Sequence, residues 1–341
     1  MSFRKFLALM LVSLALAAAF WGMRSDAPAD KAVASLDSTS LQSTLSGSGP
    51  LLPLPPVPDL PADKVALGKR LFFDPRLSHD DTVSCATCHQ LDSGGSDRLP
   101  VSVGIEGRKG GVNAPTVFNS SLNFAQFWDG RAASLEAQAA GPVHNPLEMA
   151  SKWAEVIPKL SRDEHYPREF GRIYQQGISG DTIVDAIAAY ERTLLTPNSR
   201  FDRFLRGDKE ALDPLERSGY QRFLDYGCAS CHQGAGVGGN MFQRFGVMGS
   251  YLANDTGRQA DLGRFNVSGL EIDKNVFKVP SLRNVEVTPP YFHDGSAQSL
   301  EEAVIIMGRY QLGRELSGED VKALTAFLKT LTGEWEGKRL Q

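Results

Sequence analysis

Two copies of the pattern Cys-x-x-Cys-His contain every cysteine of the chain, one at residues 85–89 and one at residues 228–232. Two thiols three positions apart on a helical turn can reach the two vinyl groups of one haem and form thioethers. The adjacent histidine then lies under the iron as its proximal ligand. The residues predicted to bind the two haems are therefore Cys85, Cys88, His89, Cys228, Cys231 and His232.

A zinc site and a redox dithiol are the alternatives for this pattern. Zinc would need a clustered second pair of ligands, and a dithiol does not need the adjacent histidine. Because both copies are complete and no cysteine is left over, the pattern favours two covalently attached c-type haems.

Residues 1–24 have the features of an export signal. Arg4 and Lys5 precede an apolar run over residues 6–21, and residues 17–19 are alanines that suit cleavage. Export fits covalent haem attachment, so we expect a periplasmic protein. The alternative is that the apolar run is retained as an anchor in the inner membrane, although it is just short of a comfortable span.

Composition bounds the rest of the chain. A length of 341 residues predicts two domains, and a net charge of −4 with a pI near 5.9 gives no indication of nucleic-acid binding. A mildly acidic face would suit a basic donor protein, but it fits ordinary solubility equally well. Residues 25–61 are rich in Ala, Ser and Pro without helical or strand periodicity, which predicts a flexible linker.

The remaining residues predict a mainly α fold, because apolar residues recur at helical spacing and alternating strand patterns are scarce. Asp213, Ser299 and Ser317 stand where helix N-caps are expected. The two haem motifs begin 143 residues apart. We therefore expect two cytochrome c-like domains joined at an interface, each with one haem, over residues 62–200 and 201–341.

Met307 is the candidate sixth ligand of the second haem iron. It follows a predicted capped helix on the inward face, far enough after His232 for the chain to fold over the opposite side of the haem. A core methionine is the equally open alternative. Met241 and Met248 compete for the same role, but they lie in a glycine-rich loop soon after His232.

Gln138 and Glu148 bracket the proline-containing segment 141–146. A carboxylate held by such a loop can take a proton from one oxygen of a peroxide and deliver it to the leaving oxygen. The alternative is a solvated surface glutamate, which is the commoner situation for a single Glu.

Several segments between residues 60 and 335 resemble bacterial dihaem cytochrome c peroxidases and, more distantly, the MauG branch of that superfamily. Besides the haem motifs, the resemblance rests on residues 71–78 (LFFDPRLS), 113–119 (NAPTVFN), 127–131 (FWDGR), 145–149 (NPLEM), 277–284 (FKVPSLRN), 290–295 (PYFHDG) and 307–313 (MGRYQLG). Together these segments are highly specific.

The resemblance implies roles for the candidate site residues. The first haem would be the low-potential peroxidatic one, and the second would be the high-potential haem that accepts electrons. Met307 matches the axial methionine of the second haem, and Trp128 matches a tryptophan that relays electrons between the haems. Glu148 and Gln138 match the acid–base glutamate and its partner in the peroxide pocket.

The resemblance also implies a calcium ion at the interface between the domains. Asn113, Thr288 and Pro290 match its carbonyl donors. No Asp-rich loop announces this ion, and backbone carbonyls leave little trace in a sequence.

The expected activity is the reduction of hydrogen peroxide to water with electrons from a small c-type cytochrome or a cupredoxin, in a protein that could be a homodimer. One alternative is a MauG-like enzyme that oxidatively modifies a partner protein. That branch has tyrosine in place of the methionine ligand, so Met307 argues against it. The other alternative is a non-enzymatic dihaem electron-transfer protein.

One position departs from the family pattern. Many members carry a histidine in a Gly-His-Gly loop that blocks the peroxidatic iron until the other haem is reduced. Here the loop has Ile105, which has no donor atom. We therefore expect an open peroxidatic iron without reductive activation, unless His79 or His144 takes the place of the missing ligand.

Overall fold

Polar side chains cap the helices that dominate the fold. The computed structural model describes residues 49–252 and 257–341. The side chains of Asp213, Ser299 and Ser317 each accept a hydrogen bond from the backbone N–H three residues later, as the sequence predicts. Helices predominate and strands are few, which confirms the mainly α class.

The elements of the described residues are short. The helices are α1 (Ala62–Phe72), α2 (Cys85–Cys88), α3 (Leu135–His144), α4 (Trp153–Ser161), α5 (Tyr166–Ile173), α6 (Gly180–Glu191), α7 (Arg200–Leu205), α8 (Pro214–Asp225), α9 (Phe265–Ser268), α10 (Leu300–Ile306) and α11 (Gly318–Lys329). The strands form two antiparallel pairs, β1 (Phe242–Arg244) with β2 (Val276–Lys278) and β3 (Glu334–Trp335) with β4 (Lys338–Arg339).

Single turns of helix connect these elements. A π-helical turn, Met307–Gln311, continues from the end of α10. The 3₁₀ turns of the described residues are Pro75–Leu77, Leu91–Ser93, Ile105–Gly107, Ser120–Leu122, Lys209–Ala211, Cys228–Ser230, Gln259–Leu262, Glu271–Asp273 and Val285–Val287.

Residues 49–341 contain two hydrophobic cores, and each is built around a helix pair that crosses at a glycine. A Cβ on Gly68 of α1 would lie 1.9 Å from the carbonyl oxygen of Ala186 on α6. A Cβ on Gly219 of α8 would lie 1.9 Å from the carbonyl oxygen of Ala323 on α11. No side chain larger than hydrogen fits at either crossing, so glycine lets both helix pairs approach closely.

The end of the predicted linker is docked on the second core. Leu51 and Leu54 are buried, and the carbonyl of Pro50 accepts a hydrogen bond of 2.8 Å from the backbone N–H of Gly234. Leu52 offers its carbonyl to the Arg283 guanidinium at 2.8 Å. The prediction of a flexible segment is therefore wrong for residues 50–54, because this stretch buries apolar side chains and pairs its backbone.

The remaining N-terminal predictions lie outside the described residues. These are the signal or anchor at residues 1–24 and the linker over residues 25–48. Within residues 49–252 and 257–341, no helix has the length and apolar character needed to cross a bilayer.

Hydrogen bonds connect the two cores. Asn119 and Asn284 both donate to the Thr196 hydroxyl, at 2.9 and 3.0 Å, in a buried cluster between the cores. The Trp128 carbonyl accepts a bond of 2.8 Å from the backbone N–H of Lys278 on β2. These contacts hold the segments around the two haem motifs at fixed positions.

Candidate active site

The second haem motif opens onto a cavity of about 400 Å³. Its lining includes Cys228, Cys231, His232 and Met307, so the structure brings together all four residues predicted for the second haem. Most of the lining is apolar, and it includes neither Asp nor Glu. A large apolar cavity with a few convergent donor atoms is typical of a cofactor site.

The backbone before the second motif turns sharply and places its cysteines in a 3₁₀ turn. α8 ends at Asp225, and Gly227, with a φ of 83°, turns the chain into the 3₁₀ turn that carries Cys228. A Cβ on Gly238 would lie 3.2 Å from Nδ1 of His232. Met307 begins the π-helical turn, a distortion that is frequent at functional sites.

The donor atoms of the second motif fit a c-type haem. Cys228 and Cys231 are free thiols, as thioether formation requires. Burial lowers the pKa of His232 to about 4, so its imidazole is neutral and can ligate iron. The carbonyls of Val237 and Pro280 partly offset this, although neither makes a hydrogen bond of good geometry to the buried Nδ1 atom.

The first haem motif occupies the short helix α2. Ser84 and Thr87 form a capping box at its start, and His89 ends it. Nδ1 of His89 lies 3.3 Å from the Gly95 carbonyl oxygen, which leaves Nε2 available for iron. Burial lowers the pKa of His89 and raises that of Cys85, and both cysteines of this motif are free thiols. This donor set also fits a c-type haem.

Glu148 is close enough to the first motif for its charge to act on Cys88. Burial raises its pKa, while a hydrogen bond of 2.6 Å from the Asn145 amide to Oε1 opposes that shift. Burial raises the pKa of Cys88 to about 11, and the nearby charges of Asp97 and Glu148 add to this effect. A half-buried carboxyl with a raised pKa is suited to general acid–base chemistry. Gln138 is half-buried on α3, and it makes no hydrogen bond to Glu148 among the described residues.

Two partners of Glu148 were missed by the sequence analysis. Asn145 donates to Glu148 and also accepts a bond of 3.0 Å from the Leu147 backbone, so its side chain fixes the turn. The charge of Arg131 lowers the pKa of Glu148, and its guanidinium lies 3.4 Å from the ring centroid of Phe127. The Asn-Pro-Leu-Glu spacing was a usable signal for Asn145, whereas no local pattern marks the effect of the Arg131 charge on the distant Glu148.

Ile105 is buried in the first core, and its aliphatic side chain has no atom that could bind iron. It is 1% exposed, and its backbone N–H donates to the Glu148 carbonyl at 2.9 Å. The neighbouring Gly104 makes this approach possible, because a Cβ there would lie 2.2 Å from the Leu147 carbonyl oxygen. The loop that contains Ile105 is thus hydrogen-bonded to the Glu148 loop.

His79 and His144 could take the place of the iron ligand that is missing at Ile105, but both have other partners. Nδ1 of His79 lies 2.8 Å from Oε1 of Glu155 on the surface. Nδ1 of His144 lies 3.0 Å from the Ser151 carbonyl, and its ring packs edge-on against Trp153.

Trp128 and the predicted calcium residues line the cavity of the second motif. Trp128 donates its indole N–H to the Asn113 carbonyl at 2.9 Å, and Asn113, Thr288 and Pro290 border the same space. The Asn113 amide nitrogen donates to the Leu99 carbonyl at 2.7 Å, which leaves both the side-chain and the backbone carbonyl oxygens of Asn113 with a lone pair for a cation. No group of three or more His, Cys, Asp or Glu suited to a metal occurs among residues 49–252 and 257–341.

Comparison with known proteins identifies the family. A family model for di-haem cytochrome c peroxidase matches residues 62–210. The chain is 47% identical to cytochrome c551 peroxidase of Nitrosomonas europaea over 85% of this chain and 86% of that protein. The chain belongs to the di-haem cytochrome c peroxidase family. It is also 51% identical to cytochrome c peroxidase Ccp of Escherichia coli K12, over 82% of this chain and 61% of that longer protein.

These similarities confirm the predicted function and enzyme class. Three cytochrome c peroxidases are 45–51% identical to the chain. Three methylamine utilization proteins MauG are 32–35% identical, a range that also contains two further cytochrome-c peroxidases, at 32 and 33%. A solved structure of a MauG-like protein associated with microbial copper homeostasis has a TM-score of 0.73 at 29% identity, covering 84% of this chain and 95% of that one. Family membership implies two haems.

Proposed function

We propose that this peroxidase reduces hydrogen peroxide at the first haem, with Glu148 as the acid–base group. The reaction consumes one peroxide, two protons and two electrons and forms two waters. The observation that carries the assignment is the position of Glu148, half-buried beside Cys88 with a raised pKa. Cys85, Cys88 and His89 would hold the haem, which would supply an iron for peroxide and the electrons for O–O cleavage.

Glu148 handles the protons of the reaction. Its carboxylate accepts the proton of the bound peroxide oxygen and returns it to the oxygen that leaves as water. The Asn145 amide orients Oε1, and the positive charge of Arg131 favours the ionised form that accepts the proton. Partial burial works in the opposite direction and favours the protonated form, so the two effects together let Glu148 both take up and release the proton.

The second haem accepts electrons in this proposal. His232 and Met307, which line the same cavity, would hold this haem through its iron, and the thioether of Met307 would raise the potential of the haem. Trp128 lines the cavity proposed for this haem. It is hydrogen-bonded to two other lining residues, through its indole N–H to Asn113 and through its carbonyl to Lys278. Its indole is therefore the proposed relay toward the first haem. The donor is a small c-type cytochrome or a cupredoxin, and the similarity to c551 peroxidases supports the former.

The finer organisation is also part of the proposal. Two haem domains, residues 62–200 and 201–341, account for the two hydrophobic cores. Calcium binds between them through Asn113, Thr288 and Pro290, and Gln138 contributes to the peroxide pocket. We further propose that the protein is exported to the periplasm, either with residues 1–24 cleaved or with these residues retained as a membrane anchor. The proposed assembly is a homodimer.

Glu148→Gln tests the acid–base assignment. The amide keeps the size of the side chain but cannot accept a proton, so peroxide turnover with reduced cytochrome c should fall by roughly a hundred- to ten-thousand-fold. Glu164→Gln is the control, because Glu164 is exposed. Both variants should retain two covalent haems by mass. Near wild-type turnover in Glu148→Gln would return this residue to a structural role.

A further inference from the structure

The cavity of the second haem motif contains a buried lysine without an anionic partner. Lys278, on β2, is 6% exposed and lines the cavity. Its side chain has no hydrogen bond or ion pair among residues 49–252 and 257–341. Burial alone lowers its pKa to about 8. A buried ammonium without a counter-charge is unfavourable, so we expect Lys278 to pair with an anionic group of a ligand.

Another deeply buried cation of the same half shows the contrast. The Arg283 guanidinium is fully buried, and the Asp202 carboxylate lies 2.9 Å away, also fully buried. Arg283 also donates to three further oxygens, those of Leu52, Ser199 and Ala235. The fold therefore neutralises a buried charge here, whereas it supplies no such partner for Lys278.

The composition of the cavity indicates what the partner is. Lys278 and Arg244 contribute the cationic side chains of the lining, and no Asp or Glu contributes to it. Arg244 is exposed, so Lys278 is the buried cation of the pair. A ligand that is largely apolar and carries its own carboxylates matches this lining. A haem has that chemistry, because its ring is apolar and it bears two propionates.

We propose that Lys278 pairs with a propionate carboxylate of the second haem and raises the potential of that haem. The ion pair forms only when the haem is present, which explains why the fold leaves the ammonium without a partner of its own. A nearby positive charge disfavours the ferric state, so it adds to the effect of the thioether ligand. The inference rests on the assignment of this cavity to the second haem.

The position of Lys278 also links this pair to the relay residue. The Lys278 backbone N–H donates to the Trp128 carbonyl at 2.8 Å, and β2 holds Lys278 opposite Phe242 of β1. Lys278 and Trp128 are thereby neighbours in the wall of the cavity. Lys278 is a haem-positioning residue in this scheme and takes no part in the peroxide chemistry.

Three variants test the inference in the holoenzyme: Lys278→Met, Lys278→Arg and the control Lys322→Met, which alters an exposed lysine of α11. The readout is the midpoint potential of the second haem, followed spectroscopically. Lys278→Met should lower the equilibrium constant for reduction on the order of tenfold, which is 59 mV for a one-electron couple. Lys278→Arg and Lys322→Met should stay near the wild-type value.

A second measurement separates direct pairing from a field effect. The propionate bending mode in the resonance Raman spectrum should shift in Lys278→Met and not in Lys322→Met. An unchanged potential, or a lower potential with an unchanged bending mode, overturns the inference. If Lys278→Met fails to retain the second haem, Lys278→Arg decides: retention at the wild-type potential supports pairing, and loss in both variants overturns it.

The proposed axial ligation can fail independently of this inference. The near-infrared band from thioether sulfur to ferric iron reports on Met307 in every variant. Absence of the band in the wild type rejects Met307 as ligand and leaves the Lys278 comparison intact. Presence of the band with an unchanged potential in Lys278→Met rejects only the role of Lys278.

Discussion

A buried glutamate near the first haem motif makes folding stability depend on pH. Glu191, at the end of α6, is 5% exposed, and its Oε2 atom has no hydrogen-bond partner. Burial raises its pKa to about 8, from an ordinary value of 4.5. The folded protein therefore binds one more proton than the unfolded chain between these pH values. The free energy of unfolding must fall as pH rises from about 4.5 to 8 and then level off.

The magnitude follows from the same two values. Each pKa unit corresponds to about 1.4 kcal/mol, so the difference between 4.5 and about 8 sets a ceiling of about 5 kcal/mol. Water entry and local relaxation reduce the cost of a buried charge. We therefore expect Glu191→Gln, which keeps the shape but cannot ionise, to exceed the wild type at pH 9 by about 2–3 kcal/mol.

Urea unfolding followed by circular dichroism at pH 5, 7 and 9 is the assay. The wild type and Glu191→Gln should have similar stability at pH 5 and diverge as the pH rises. Glu164→Gln serves again as the control and should follow the wild type throughout. Curves for Glu191→Gln and wild type that stay parallel from pH 5 to 9 refute the reasoning, because the carboxyl would then ionise without cost.

Three further predictions concern the metal sites. Because Ile105 is buried and cannot ligate, the as-isolated ferric enzyme should show a high-spin electron paramagnetic resonance signal and react with peroxide at once; two fully low-spin haems would contradict this. Met307→His should lower the potential of the second haem, since imidazole stabilises ferrous iron less than a thioether does; an equal or higher potential would reject Met307 as ligand. Chelation of the calcium ion proposed at Asn113, Thr288 and Pro290 should slow electron transfer between the haems. Unchanged activity and no metal by elemental analysis would remove calcium from the proposal.

The haem motifs could be predicted because their chemistry is local. Cys85, Cys88 and His89 are set by one helical turn, and the spacing alone states what they bind. Met307 followed from a capped helix, and the structure indeed brings it to the cavity of the second motif. The mainly α class followed from periodicity, for which a single segment is sufficient.

Other features depend on contacts between distant segments, and the sequence does not reveal them. The docking of Leu51 and Leu54 requires the loop at Gly234, far along the chain. The burial of Lys278 in the wall of the cavity and the electrostatic contact of Arg131 with Glu148 likewise arise only in three dimensions. Periodicity and caps carry no information about such pairings.

The two glycine crossings also bear on the placement of the haem motifs. Residues 85–89 lie between Gly68 and Ala186 along the chain, and residues 228–232 lie between Gly219 and Ala323. When each helix pair closes, the haem motif becomes part of the loop that the pair encloses. A side chain larger than hydrogen at Gly68 or Gly219 would therefore disturb the placement of one haem motif as well as the packing of one helix pair.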